Sequence, residues 1–417
     1  MAVREPKRKE IPEFTKELAL DGLIVVDRKE KDGDVVYVAE SASTPVCINC
    51  RNSLRFRVHD KRVSKIYDLP RFGKRTGILL TRKRYVCTFC GYNTSDVFSC
   101  ISGRMTERLR DVIKKETLYY PFTDIADRYG VSSATVNNLF VEMKAECARK
   151  YKPKVPRIMA VTRLPIHRGK TFYTAVVDVG LDGGTVVELS NATSKEGAEA
   201  CFERMIANKD LSLVISDLWD PYREAIRDTF GSDMDIVVSK EYVLEHLKRT
   251  FEEIRLDVLK KYTAKKTSRN VSQSRFLTQT DYYSLDMTRE RHLNQLLDEC
   301  PELRAPYELK EAFIAIYDTD NYDTASSQYE EWKKECRSLG VEGYDSFIDM
   351  LDRWKEEAFR CFEVPDHYEQ IFRAVEKVQT IDREGYRYKY EVLRAKALYR
   401  NMYSEKKNTR VNFDQFE

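Results

Sequence analysis

Two cysteine pairs constrain this chain more than any other feature of its sequence. Cys47 and Cys50 form one C-x2-C pair, and Cys87 and Cys90 form a second. Each pair can present two thiolates to one edge of a tetrahedral zinc ion, and four thiolates complete the shell of a structural site. Ordinary buried cysteines are the alternative. The repeated spacing, with Gly91 placed where a tight turn needs it, favours structural Zn²⁺.

Length and composition predict several folded units and no membrane segment. The chain has 417 residues, of which 42% are hydrophobic and 33% charged, so we expect more than one domain. No stretch approaches the roughly 18 apolar residues that span a bilayer, and the first ten residues lack the apolar region of a signal peptide. We therefore expect a soluble, cytoplasmic protein whose ten cysteines are thiols or metal ligands.

Positive charge is concentrated between the two cysteine pairs. This segment contains twelve Lys or Arg residues and two Asp residues, although the net charge of the chain is only +3. Residues 77–86 have the pattern of a strand that leads into the second pair and carries Arg82, Lys83 and Arg84. Such cations are rarely buried without partners. They either contact DNA phosphates or form a solvated face.

Residues 101–152 have the pattern of a helix-turn-helix. A helical stretch at 104–117 is followed by a short helix, a turn at Gly130, and a second helix with serine at its start. Ala126 is small where the two helices cross. A three-helix bundle without a ligand is the alternative. The outward side of the second helix carries short side chains that can reach base edges or phosphates, namely Ser133, Ala134, Thr135, Asn137 and Asn138.

The order of elements after residue 152 predicts an RNase H-like α/β domain. Three strands at 158–161, 172–179 and 185–189 form a meander. A helix at 194–207 then precedes a buried strand at 211–216, and a further strand follows at 235–238. Three meander strands followed by alternating helix and strand is the order of that fold.

Several motifs along nearly the whole chain resemble the ISL3 family of insertion-sequence transposases. Besides the helix-turn-helix and a helical segment around 305–313, they are the two C-x2-C pairs, Tyr67-Asp68-Leu69-Pro70, Arg84-Tyr85-x-Cys87-x2-Cys90, Asp217-Leu218-Trp219-x-Pro221-Tyr222 and Glu384-Gly385-x3-Lys389-x3-Leu393-Arg394. The resemblance implies double-stranded DNA as partner, a homodimer, and a DDE domain. In such a domain three carboxylates hold two Mg²⁺ ions that activate water or a DNA 3′-hydroxyl for DNA recombination.

The resemblance transfers only two of the three carboxylates to this sequence. Asp217 and Glu384 match the family pattern, but Thr162 stands where the first Asp is expected, and Arg163 adds a cation beside it. Residues 238–242 also depart from a family motif. Asp178 on the neighbouring strand is a possible substitute ligand. Taken alone, Asp217 could be a helix cap and Glu384 a solvated helix residue.

We therefore predict a multidomain α+β protein from a prokaryote, associated with the nucleoid. The predicted parts are an N-terminal β-hairpin at 1–40, a zinc ribbon at 41–100, the helix-turn-helix at 101–152, an RNase H-like domain at 153–250, a helical insertion at 251–365, a closing helix at 366–405 and a tail at 406–417.

Three functions remain open at this point. The preferred one is a DNA-binding pseudoenzyme that has lost DDE chemistry and needs only zinc. The second is an active, Mg²⁺-dependent transposase with a displaced carboxylate. The third is a protein-interaction scaffold, for which the basic charges between the cysteine pairs would be dispensable.

Overall fold

The chain folds into two compact units. The computed structural model describes residues 9–43, 46–51, 56–71, 73–180, 183–260, 274–280, 285–385 and 387–403. One unit, here the N-terminal unit, is Met1–Tyr151 together with Tyr399–Glu417, and the central unit is Lys152–Leu398. The predicted tail at 406–417 and part of the predicted insertion lie outside the described residues. Within the described part, no helix has the length and apolar character needed to cross a membrane.

The described strands of the N-terminal unit form a single seven-stranded sheet. Its described strands are β1 (Leu23–Lys31), β2 (Asp34–Ser41), β3 (Phe56–Arg71), β4 (Lys74–Cys87), β5 (Asn93–Ser95), β6 (Ile101–Ser102) and β7 (Met105–Thr106). Their order is β1-β2-β4-β3-β7-β6, with β5 paired to β4. Because β2 pairs in parallel with β4, the predicted N-terminal hairpin and the segment between the cysteine pairs share one sheet. Val25, Tyr37, Ile66 and Leu80 are buried in its core.

Helices pack at both ends of this sheet. They are α1 (Pro12–Leu18), α2 (Glu107–Glu116), α3 (Phe122–Tyr129) and α4 (Ser133–Lys150). The two helices predicted around Gly130 are present, and Gly130 has φ 64°, a left-handed conformation that glycine adopts without strain. Ser132 caps α4, since its Oγ accepts a hydrogen bond from the Thr135 amide at 3.2 Å. Val136 and Leu139 are buried with the small side chain of Ala126.

The central unit contains a mixed five-stranded sheet. Its strands are β8 (Ile158–Ile166), β9 (Thr171–Asp178), β10 (Thr185–Ser190), β11 (Leu213–Ser216) and β12 (Ile236–Val238), in the order β10-β9-β8-β11-β12. The first three form the predicted antiparallel meander, and β11 and β12 add in parallel beside β8. Every residue of β11 is buried, as expected for a strand covered on both faces.

Helices cover the sheet of the central unit and form a second core beside it. The described helices are α5 (Lys195–Glu203), α6 (Asp220–Phe230), α7 (Lys240–Lys260), α8 (Ser274–Gln279), α9 (Met287–Glu299), α10 (Arg304–Ile316), α11 (Tyr322–Ser338), α12 (Asp345–Arg353), α13 (Lys355–Phe359), α14 (Tyr368–Glu384) and α15 (Tyr390–Tyr399). Trp332 and Trp354 are buried in a core, rich in aromatic side chains, that α7 shares with the helices that follow it. The predicted helix at 194–207 is shorter than expected, because Ile206 leaves it to exchange backbone hydrogen bonds with Pro153 and Val155.

Candidate functional site

The four predicted cysteines come together in the N-terminal unit. Their sulfur atoms all lie within 4.8 Å of one another. The Cys47 Sγ to Cys90 Sγ and Cys50 Sγ to Cys87 Sγ distances are both 3.6 Å. A tetrahedral zinc ion with Zn–S bonds of about 2.3 Å requires sulfur atoms roughly 3.8 Å apart. The cluster therefore fits one zinc ion, and four thiolates leave no open position for catalysis.

The two cysteine pairs have the same backbone geometry. The Arg51 amide donates to the Cys47 carbonyl, and the Gly91 amide donates to the Cys87 carbonyl, both at 2.8 Å. Arg51 and Gly91 have φ values of 55° and 73°, so each pair ends in a left-handed turn. A hydrogen bond from the Tyr92 backbone lowers the pKa of Cys90 to about 6. That thiol is thus suited to bind a metal as thiolate at neutral pH.

The first two turns of α4 present the predicted polar face. Ser133, Asn137 and Asn138 are exposed, and Thr135 is partly exposed. The buried side chains of the same helix face α2 and α3, which leaves this face free of the core. Short amide and hydroxyl groups in this arrangement can donate to and accept from base edges.

The three predicted cations of β4 differ in their surroundings. Lys83 Nζ is 2.8 Å from Glu40 Oε2, so its charge is balanced within the sheet. The Arg82 guanidinium lies over the Phe98 ring, 5.8 Å from the ring centroid. Arg84 is exposed. Of the three, Arg84 is therefore the most available to an external phosphate.

The sheet of the central unit brings Thr162 and Asp217 side by side. Asp217 directly follows β11, which pairs in parallel with β8 so that Ser216 lies opposite Val161. Asp217, the residue after Ser216, therefore lies level with Thr162 and Arg163 of β8. Thr162 and Asp217 are both 3% exposed, so any chemistry here would take place in a largely desolvated environment.

Arg163 is paired with Asp217, the carboxylate to which the resemblance assigns a metal. Its Nε donates to Asp217 Oδ2 at 2.8 Å, and its backbone amide is 3.3 Å from the same oxygen. The guanidinium also lies over the Trp219 ring, 4.9 Å from its centroid. Burial raises the pKa of Asp217, and the Arg163 charge and hydrogen bonds oppose that rise. The other oxygen, Oδ1, is buried and has no hydrogen-bond partner within the structure as described.

A tyrosine that sequence reasoning did not select completes the cluster. The hydroxyl of Tyr242, on α7, donates a hydrogen bond to Thr162 Oγ1 at 2.9 Å. Burial raises the pKa of Tyr242, which keeps it a neutral donor. The available signal was its position in the motif at 238–242 that departs from the family pattern. Thr162 offers only a neutral hydroxyl, and the Arg163 guanidinium is paired with Asp217. These residues therefore do not fit a two-metal site.

Glu384 has no described contact with Asp217. It is exposed at the end of α14, two residues after Asp382. Asp382 Oδ2 accepts a hydrogen bond from the His167 amide at 2.8 Å, which places this end of the helix just beyond β8. His167 is five residues beyond Thr162, or roughly 16 Å at about 3.3 Å per strand residue.

Asp178 also lies away from Thr162. It pairs with Met159 at the start of the β8–β9 register, whereas Thr162, three residues further along β8, pairs with Ala175. Successive side chains of a strand point to opposite faces, so Asp178 and Thr162 are on opposite faces of the sheet. Burial raises the pKa of Asp178, and its Oδ1 accepts a hydrogen bond from the Gly180 amide.

Comparisons with known proteins point to one family over most of the chain. A family model described as a transposase, of the ISL3 DDE type, matches residues 164–396, more than half of the 417 residues. A second model, the zinc finger of transposases IS204, IS1001, IS1096 and IS1165, matches residues 43–90. The transposase for insertion sequence element IS1001 of Bordetella parapertussis is 21% identical over 322 residues, covering 76% of this chain and 78% of that protein.

Proposed function

Because the chain belongs to the ISL3 family of transposases, we propose that it is a transposase-derived protein that binds double-stranded DNA and has lost DDE strand-transfer chemistry. The single observation that carries the loss is the ion pair between Arg163 and Asp217. A transposase carboxylate must be open to a metal ion, but here a guanidinium of the same chain occupies it. No strand-transfer step follows from this arrangement.

DNA binding is supported by the N-terminal unit. In our proposal α3 and α4 form a helix-turn-helix, with α4 as the recognition helix that places Ser133, Thr135, Asn137 and Asn138 in the major groove. The zinc ribbon, with Arg84 as its exposed β4 cation and Arg82 and Lys83 beside it, contacts the phosphate backbone. The four-cysteine cluster and the zinc-finger family match support structural zinc as the cofactor.

The central unit has the strand order that we associate with an RNase H-like domain. Three antiparallel strands are followed by two parallel strands in the order β10-β9-β8-β11-β12, and the inserted helices α8–α13 come before the last helices. We propose that this domain is a remnant catalytic domain in which Asp217 and Glu384 are retained carboxylates. Its remaining role would be to support pairing of two chains as a homodimer on DNA, with the protein held at the nucleoid.

A binding measurement tests the DNA part of this proposal. Fluorescence anisotropy with labelled duplexes, carrying either the sequence that flanks the gene or random sequence, should show affinity that falls linearly with salt on a double-logarithmic plot. Phosphate contacts release counterions, so a negative slope is expected. A flat plot would instead favour the protein-interaction scaffold.

A cleavage assay tests the loss of chemistry. The protein is incubated with the same duplexes and Mg²⁺ or Mn²⁺, and strand nicks are detected on denaturing gels. We expect no metal-dependent cleavage. Nicking that Asp217→Ala abolishes, and that Asp220→Ala leaves intact, would establish the active transposase instead. Asp220 is a suitable control because it is a partly exposed neighbour that pairs with Arg223 at the start of α6.

A further inference from the structure

The ion pair between Arg163 and Asp217 exposes its cation and buries its carboxylate. The Arg163 side chain is 31% exposed, whereas that of Asp217 is 5% exposed. A guanidinium carries N–H donors on all three of its nitrogens, and the described hydrogen bonds of this side chain use only Nε. Its terminal nitrogens, Nη1 and Nη2, are accessible to solvent and have no partner among the described residues. The N–H groups of these nitrogens can therefore bind a ligand.

Arg163 is also held in a fixed position. Its backbone amide and its Nε both donate to Asp217 Oδ2, at 3.3 and 2.8 Å, and its guanidinium lies 4.9 Å from the centroid of the Trp219 ring. The indole Nε1 of Trp219 is a further donor that is buried and lacks a partner within the described ranges. A side chain that is already ordered loses little conformational entropy when it binds a ligand.

Helix α7 brings a second arginine to the same region. Arg249 is exposed, and it forms no ion pair with a carboxylate in the part of the chain that the structure describes. Its Nη2 lies 2.9 Å from His246 Nδ1. Because arginine can only donate, Nδ1 accepts this hydrogen bond, and the proton of the neutral ring is on Nε2. His246 thus offers its Nε2–H as an additional donor.

The pKa of His246 shows that both arginines act on one place. This pKa is lowered to about 4, first by burial and then by the charges of Arg249 and Arg163, so the ring is neutral at physiological pH. No carboxylate offsets these two charges at the ring. Glu245, the adjacent acid of α7, instead accepts a hydrogen bond from the Tyr368 hydroxyl at 3.3 Å. Two guanidinium groups therefore face one buried carboxylate, which leaves an excess of positive charge.

We propose that Arg163, Arg249 and His246, here called the arginine site, bind a phosphate group directly and without a metal ion. This inference rests on the proposed function, because it takes the pair between Arg163 and Asp217 to be permanent. Arginine suits the ligand, since its planar donors can form two parallel hydrogen bonds with phosphate oxygens. A phosphodiester of a DNA strand and inorganic phosphate share this chemistry, and the experiment below distinguishes them.

A purely structural role for Arg163 is the alternative. In that role the guanidinium only neutralises Asp217, which requires Nε and the positive charge but neither Arg249 nor His246. Arg249 has no described contact with Asp217. Dependence of ligand binding on Arg249 therefore separates the arginine site from simple charge neutralisation.

Tryptophan fluorescence of the full-length protein tests the arginine site. Trp219 lies against Arg163, whereas Trp332 and Trp354 are only 3% and 1% exposed. The protein is titrated with inorganic phosphate, and separately with a short single-stranded thymidine oligonucleotide, at constant ionic strength without Mg²⁺. We expect a saturable change in emission that Trp219→Phe abolishes. Arg249→Gln should weaken binding roughly tenfold, as expected for the loss of a charge-assisted hydrogen bond.

Two further variants control this titration. Lys209→Gln removes the same charge at the opposite edge of the sheet, because exposed Lys209 precedes β11 and Asp217 follows it. This variant should bind like the wild type. Arg163→Lys keeps a cation beside Asp217 but loses the paired donors, so it should also weaken binding roughly tenfold, with urea unfolding confirming that the central unit is folded.

Each outcome of the titration has a defined meaning. Saturation by inorganic phosphate alone would assign the arginine site to the free anion, and saturation by the oligonucleotide would assign it to a DNA strand. Equal affinity of wild type and Arg249→Gln would overturn the proposal, as would an emission change that requires Mg²⁺ or no saturable change with either ligand. No duplex is used, so failure of the wild type to bind duplex DNA would refute the proposed function and leave this test intact.

Discussion

Breaking the ion pair between Arg163 and Asp217 should lower the free energy of unfolding of the central unit. This loss can be measured separately from the stability of the N-terminal unit. In Arg163→Met the charge is lost and most of the side-chain stem is kept. Asp217 then remains 3% exposed without its cation. Removing one partner of a buried ion pair typically costs 3–5 kcal/mol. The Arg163 side chain is 31% exposed, so we expect the lower end, about 3 kcal/mol at neutral pH.

The loss of stability caused by Arg163→Met should depend on pH, and the sign of that dependence is predictable. Burial already raises the pKa of Asp217 above its unfolded value of 3.8, so the folded state binds a proton more readily than the unfolded state. This carboxyl therefore lowers stability as pH rises from 3.8 through its folded pKa. Loss of Arg163 raises that pKa further. The penalty of Arg163→Met should thus be larger at pH 8 than at pH 5.

Tryptophan fluorescence during urea unfolding can follow this unit alone. All three tryptophans of the chain, Trp219, Trp332 and Trp354, belong to the central unit. A double-mutant cycle of Arg163→Met and Asp217→Asn should give a coupling energy of about 2 kcal/mol, because the second substitution removes the buried charge that the first leaves unpaired. Coupling below about 0.5 kcal/mol, or a penalty that does not change with pH, would refute the reasoning.

Two further predictions concern the N-terminal unit. The protein should contain one zinc ion per chain by atomic absorption. Cys50→Ser or chelation should abolish DNA binding, while unfolding of the central unit monitored by tryptophan fluorescence stays unchanged. DNA binding that survives complete metal removal would contradict a structural role for zinc. Asn137→Ala and Asn138→Ala should each reduce the preference for specific over random duplex by about 1–3 kcal/mol, with random-duplex affinity unaffected, as measured by competition binding. An equal loss on both duplexes would assign these amides to phosphates.

Features that depend on local sequence were predictable in this chain. The C-x2-C pairs, Gly91 and Gly130 specify turns whose geometry needs only a few neighbouring residues, and the structure contains those turns. The strand and helix order of the central unit also follows from runs of apolar residues, since periodicity reports which faces are buried. The helix predicted at 194–207 extends past the observed end of α5 at Glu203. Backbone hydrogen bonds from Ile206 to Pro153 and from Val155 to Ile206, between residues distant in sequence, compete with the helix there.

The sequence by itself determined the four cysteines that cluster, the helix pair around Gly130, the order of the described strands, and the threonine at position 162, where the resemblance implies an acid. Only the tertiary structure decided that Arg163 binds Asp217, that Tyr242 bonds to Thr162, and that Lys83 pairs with Glu40 while Arg84 is exposed. These facts depend on strand register and on residues up to 80 positions apart. Charge and hydrogen-bonding capacity can be read from a residue type, but which partner uses them depends on packing.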